Sequence, residues 1–190
     1  MPAEPTTSSR SAAPPGLTLL LGGARSGKSS LAVEIGRRHG DAVVVVATAT
    51  AADDDLAERI ARHRAERPDW PTIEEQHDLA GALATIGAGT LAVVDCLTLW
   101  VSNVMWLGHS DDEVLELTTR TASAAARRDG PTVVITNEVG LGLHPESALG
   151  RRYRDLLGRV NQIWAAAADR TLLLVAGRVV ALVDPWRALT

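Results

Sequence analysis

The segment Gly22-Gly23-Ala24-Arg25-Ser26-Gly27-Lys28-Ser29 has the spacing G-x-x-x-x-G-K-[ST], which builds a cradle for phosphate. Its glycines let backbone amides turn inward around phosphate oxygens, and the start of a following helix adds partial positive charge. Lys28 is expected to reach the β- and γ-phosphates of a nucleoside triphosphate, and the Ser29 hydroxyl to ligate Mg²⁺. Lys28 is also the sole lysine among 19 Lys and Arg residues. A compact ammonium suits a tight loop in which a planar guanidinium would not fit. Further along, Asp95 closes the apolar run Leu91-Ala92-Val93-Val94-Asp95. A carboxylate at the end of a buried strand is how magnesium is oriented beside such a loop; the alternative is an N-cap for the next helix. Thr136-Asn137-Glu138 follows another buried run and leads into Val139–Glu146, a glycine-flexible loop that either covers a substrate or merely connects elements.

A different chemistry is suggested near His63. Asp53-Asp54-Asp55 reads as a helix N-terminus, with acids at the positive end of the dipole. On a helical projection Leu56, Ile60, His63 and Arg67 form one stripe, flanked by Arg59 and Arg64. Arginines at this spacing would keep the imidazole neutral and draw in a polyphosphate. A neutral imidazole can attack an α-phosphorus without charge repulsion and form a reactive P–N intermediate. The bland alternative is a surface helix with a basic side. His39, His77, His109 and His144 lack a comparable arginine setting in the sequence, although His144 shares the glycine-rich loop.

These residues need a scaffold, and the pattern around them supplies one. Apolar runs predict strands at Leu17–Leu21, Ala42–Ala47, Leu91–Asp95, Thr132–Thr136, Leu172–Ala176 and Val179–Val183. Most are continuous rather than alternating, as in parallel strands buried on both faces. Helices are predicted between them at Lys28–Arg38, Leu56–Glu66, Leu79–Ile86, Leu97–Trp106, Glu113–Arg127 and Ser147–Ala168. This alternation predicts an α/β fold of three layers with a mostly parallel sheet. The last two strands, separated by Gly177-Arg178, are expected to form an antiparallel hairpin at the sheet edge. No internal repeat or second-domain boundary is visible. The Pro-, Ala- and Ser-rich start, residues 1–16, reads as a disordered tail before one catalytic domain, 17–190.

Composition narrows the partners. A net charge of -4 provides no basic field for nucleic acid. No apolar run approaches the roughly 18 residues that would span a bilayer, and the start lacks a signal-peptide core. A lone cysteine, Cys96, agrees with a reducing cytoplasm. Phenylalanine is absent, so core bulk falls to Leu, Val, Ile and five Trp residues.

Taken together, the chain resembles the bifunctional adenosylcobinamide kinase / adenosylcobinamide-phosphate guanylyltransferases of cobalamin assembly. The resemblance is carried by the phosphate loop, Ala47-Thr48, Arg59-Ile60-Ala61-Arg62-His63-Arg64 running to Arg67-Pro68, and Trp70-Pro71-Thr72-Ile73-Glu74. It continues through Asp95-Cys96-Leu97-Thr98, Val101-Ser102-Asn103 and Thr136-Asn137-Glu138-Val139-Gly140 to Arg152-Tyr153-Arg154-Asp155 and Gly158-Arg159-Val160-Asn161-Gln162. It implies a RecA-like P-loop fold, an oligomer, Mg²⁺ as cofactor, ATP and GTP as substrates, and a corrinoid as the acceptor. It implies phosphorylation of the aminopropanol hydroxyl of adenosylcobinamide, then transfer of GMP from GTP by way of a histidine, here His63. It further implies that Ala47, Thr48, Ala49, Arg64, Ala65, Glu66, Arg67, Glu74 and Asp95 contact the guanine nucleotide. Some relatives carry two adjacent histidines where this chain has Arg62-His63, and some have glutamate in place of Asp95. Without the resemblance, a simple small-molecule kinase and a nucleotide-dependent regulatory NTPase remain open, though no Asn-Lys-x-Asp guanine-reading motif is present.

Overall fold

The computed structural model describes residues 15–40, 42–49 and 64–189. The expected tail up to residue 14, Asp53–Asp55, Arg59 and His63 lie outside these residues. Of the helix expected over Leu56–Glu66, only Arg64 and Ala65 are described as helical.

Seven strands form one sheet: β1 Leu17–Gly22, β2 Val43–Ala47, β3 Thr72–Glu74, β4 Leu91–Asp95, β5 Thr132–Ile135, β6 Arg170–Val175 and β7 Arg178–Leu182. Their order is β3-β2-β4-β5-β1-β6-β7, with every neighbouring pair parallel except β6–β7. The helices are α1 Lys28–His39, α2 Leu79–Ala84, α3 Leu97–Trp106, α4 Asp111–Ala126, α5 Ala148–Ala167 and the short α6 Pro185–Ala188.

The continuous apolar runs explain the layering. Leu17, Leu19, Val46, Ala92, Val94 and Val134 face one side, where they pack with residues of α2, α3, α4 and α5. Leu20, Val43, Val45, Val93, Val133 and Ile135 face the other side, with α1 and Trp70 against them. The sheet is therefore covered on both faces, as expected. Trp100 and Trp164 are fully buried and provide the bulk that phenylalanine would otherwise supply. Truncation of such a side chain typically costs about 3–5 kcal/mol. Among the described residues, no helix is long and apolar enough to cross a membrane.

Beyond small shifts of element ends and the unexpected short helix α6, three differences from the sequence expectation have a local physical cause. Strand β3 was not expected: with three residues, it is too short for a periodic pattern, and it sits half-exposed at the sheet edge. The hairpin turn is Ala176-Gly177, not Gly177-Arg178, because Val175 pairs with Arg178 across it. Both turn residues have positive φ, 50° and 72°, as a two-residue hairpin loop demands. Finally, α4 begins at Asp111 rather than Glu113, because Ser110 and Glu113 close a reciprocal capping box around its first turn.

Candidate active site

Strand β1 delivers the chain to Gly22, and α1 starts six residues later at Lys28. A side chain at Gly22 would place its Cβ 2.4 Å from the carbonyl oxygen of Leu174 on β6, so only glycine fits. Gly27, at φ 102°, caps α1. The preceding Ser26 carbonyl accepts from Gly177 N at 2.9 Å, so the hairpin tip braces the loop. Gly23, Ala24 and Arg25 form its exposed crest.

Lys28 is 6% exposed. Its Nζ donates to Gly22 O at 2.9 Å, Gly23 O at 2.7 Å and Ser26 Oγ at 3.3 Å. Burial holds its pKa below that of a free lysine, opposed by the fields of Cys96 and Asp95. Burial, and then the field of Asp95, pushes the Cys96 thiol up to about 11. It is therefore neutral near pH 7, and the charge facing Lys28 is that of Asp95. Asp95 lies on the same sheet side as α1, because Val93 faces α1 and Val94 faces away. It does not cap α3; the N-cap is Cys96.

Asp95 also faces Arg67, whose pKa is lowered chiefly by burial and raised in part by that carboxylate. Arg67 donates to Thr72 Oγ1 at 2.8 Å. Arg64 forms an exposed ion pair with Glu74 at the end of β3. Ala65 and Glu66 are exposed, and the Glu66 carbonyl accepts from Arg37 of α1 at 3.4 Å. Thus the residues directly after His63 are tied to both α1 and β3. Trp70 completes the anchor by lying on Gly36, where a Cβ would come within 2.3 Å of the indole. Gly36→Ala should therefore lift Trp70 and loosen this segment, at a cost of about 1–3 kcal/mol. The expected outcome is a lower melting temperature with an intact phosphate loop, read by thermal unfolding and nucleotide binding. A melting point equal to wild type would show that Trp70 yields without resistance.

Thr48 is fully buried. Its hydroxyl donates to Cys96 O at 2.7 Å and accepts from Cys96 N at 2.8 Å, while Asn103 Nδ2 donates to its carbonyl at 2.8 Å. It clamps β2 to the start of α3, which leaves the half-exposed Ala47 and Ala49 as the surface offered at this strand end. Beyond β5, Thr136 Oγ1 donates to Asn161 Oδ1 at 2.7 Å, Asn161 Nδ2 donates to Asn137 O at 3.0 Å, and Asn137 N donates to Thr98 Oγ1 at 2.9 Å. Tyr153 closes this group by donating to Thr98 O at 3.0 Å. Asn161 stands among the residues that carry the resemblance, but its place as a polar residue on the apolar stripe Leu157, Val160 and Trp164, which signals a buried role, was not used.

One expectation needs correction. His144 does have an arginine partner, since Arg154 on α5 donates to its Nδ1 at 2.6 Å. The pair arises across a loop–helix contact that helical spacing cannot reveal.

A mostly parallel sheet whose first strand runs through a glycine loop into a helix defines an α/β P-loop nucleoside triphosphatase fold of the RecA-like type. The same fold occurs in a solved protein, Project ID PH0250 of Pyrococcus horikoshii OT3, with TM-score 0.55, 10% identity and coverage of 87% of this chain and 85% of that one. It occurs also in a prototypical ATPase from the type III secretion system of pathogenic bacteria, with TM-score 0.54, 12% identity and coverage of 84% and 51%. Residues 18–182 match the family model for cobinamide kinase / cobinamide phosphate guanyltransferase, and the chain belongs to that family. The bifunctional adenosylcobalamin biosynthesis protein CobP of Pseudomonas aeruginosa is 41% identical over 167 residues, spanning 84% of this chain and 92% of its own. The corresponding protein CobU of Escherichia coli is 36% identical over 182 residues, spanning 85% and 96%.

Proposed function

We propose that this enzyme first phosphorylates the aminopropanol hydroxyl of adenosylcobinamide with ATP or GTP, then transfers GMP through His63 to give adenosylcobinamide-GDP. The observation that carries the reading is the convergence of Lys28, Asp95 and Arg67 on one side of the sheet, with Arg67 four residues from His63. In the first step the hydroxyl oxygen bonds to the γ-phosphorus, the bond to the bridging oxygen breaks, and the hydroxyl proton leaves to water. Lys28 exchanges a loop carbonyl for phosphate oxygen and balances the charge that develops there. In the second, an imidazole nitrogen of His63 bonds to the α-phosphorus of GTP and pyrophosphate leaves. A phosphate oxygen of the corrinoid then displaces the imidazole.

Ser29 and Asp95 offer hard oxygen donors, and the neighbouring Cys96 thiol stays protonated, a set that suits Mg²⁺ bound partly through phosphates. When bound, Mg²⁺ would neutralise phosphate charge. Homo-oligomerisation belongs to the same reading: β7 is an edge strand, and Val179, Val180 and Leu182 on it are exposed, as is Trp186 beyond. Incubation with GTP and Mg²⁺ is expected to raise the intact mass by one guanylyl group, with pyrophosphate released in equal amount. Chelation of divalent ions should stop both this and phosphorylation. An unchanged mass in the presence of GTP and Mg²⁺, or full activity after chelation, would contradict the proposal.

A further inference from the structure

Strand β5 lies between β1 and β4, so the residues that follow it stand between the phosphate loop and Asp95. Its ladder with β1 runs on past Ile135: Thr136 N donates to Leu20 O at 2.9 Å and Glu138 N to Gly22 O at 3.1 Å. The pleat therefore continues, and successive side chains keep alternating between faces. Ile135 packs on the α1 side, and Thr136 turns to Asn161 on the opposite side. The next side chain, Asn137, returns to the α1 side, which carries Lys28 and Asp95.

The other edge of Asn137 has no strand to pair with, because β4 ends at Asp95. Thr98 Oγ1 and Asn161 Nδ2 take the place of that strand. Asn161 is 6% exposed, on a helix face otherwise formed by Leu157, Val160 and Trp164. A buried amide is tolerated in such a place only when it is bonded, and both bonds of Asn161 hold the Thr136-Asn137 segment. Supporting shells of this kind fix functional groups in position. The backbone is thus held on one edge through Thr136 and Glu138 and on the other through Asn137 itself, while the Asn137 side chain makes no hydrogen bond among the described residues.

We infer that the Asn137 carboxamide is a catalytic group of the phosphorylation step. Its N–H donates to a γ-phosphate oxygen, and its carbonyl oxygen accepts from the attacking corrinoid hydroxyl. The amide orients both reactants without taking the proton, which passes to water as the new P–O bond forms. This assignment rests on the function proposed above.

Asn137→Ala keeps every backbone bond just described, so it tests the side chain alone. Its kcat for adenosylcobinamide phosphorylation is expected to fall about 100-fold, the effect of losing one preorganised donor. KM for both substrates should stay within about threefold, since the contact acts mainly in the transition state. The melting temperature and GMP labelling from α-labelled GTP should match wild type. Asn137→Asp, similar in shape but anionic and acceptor-only, should lose more. Equal loss of phosphorylation and labelling, a rise in KM with kcat unchanged, or unchanged phosphorylation would each overturn the assignment. Wild-type protein that labels with GMP yet phosphorylates no corrinoid would instead defeat the proposed kinase function, and this role with it.

Discussion

Lys28→Ala is expected to lower both phosphorylation and guanylylation by at least roughly a thousandfold while leaving the fold intact. The activity loss follows from removing the one cation buried inside the phosphate loop. The fold should survive because the carbonyls that Lys28 serves have other donors: Gly22 O accepts from Glu138 N at 3.1 Å, and Gly23 O accepts from Ser26 N at 3.3 Å. No buried acceptor is left orphaned. Lys28→Arg should fail nearly as badly. The three acceptors converge on a single nitrogen within 3.3 Å, whereas a guanidinium spreads its donors over a plane. Steady-state assays of both half-reactions, with thermal melting as the control, check this. Near-normal turnover in Lys28→Ala would remove the phosphate-loop assignment altogether.

The second large effect is expected at His63. His63→Ala should lose all GMP labelling from α-labelled GTP and all guanylyltransferase activity. Adenosylcobinamide phosphorylation should persist within several-fold, because direct in-line transfer at the phosphate loop needs no imidazole. In the wild type the label should be acid-labile and alkali-stable, as a P–N bond is and a serine phosphoester is not. The structure supplies a rival, since His144 is in contact with an arginine, Arg154. Peptide mapping of the label decides between them. Label on His144, or full labelling of His63→Ala, would place the nucleophile elsewhere. Loss of both activities in a folded variant would make His63 a shaping residue of a shared nucleotide site.

The parts of the fold legible in the sequence were those whose signals are local. The run Leu17–Leu21, the glycines after it and the polar helix behind them specify strand, loop and helix within about twenty residues. Asp95 was legible for the same reason, as a carboxylate ending an apolar strand. Signals that arise only when distant segments meet were not legible. Thr48 spends its hydroxyl on the backbone of Cys96, 48 residues away. Gly36 is small because Trp70 lies on it, and nothing within α1 announces that. The α4 start is a different case: Ser110 and Glu113 spell a capping box within four residues of sequence, a local signal that the predicted start at Glu113 did not use. The pairing of Arg64 with Glu74 needed β3, which three residues could not reveal.

The position of β1 in the sheet has a consequence for the growing chain. Its two neighbours are β5 and β6, so Leu17 N finds its Asp169 partner 152 residues later. At a synthesis rate of roughly 5–20 residues per second, β1 waits on the order of ten seconds on the ribosome before β6 exists. Until β5 emerges, ahead of β6, Leu17-Thr18-Leu19-Leu20-Leu21 has neither neighbour beside it, an apolar segment of the kind that chaperones engage. The phosphate loop must wait as well, because Gly22 packs against Leu174 and Ser26 is braced by Gly177. Bound nucleotide can therefore stabilise the finished enzyme, but it comes too late to guide its translation.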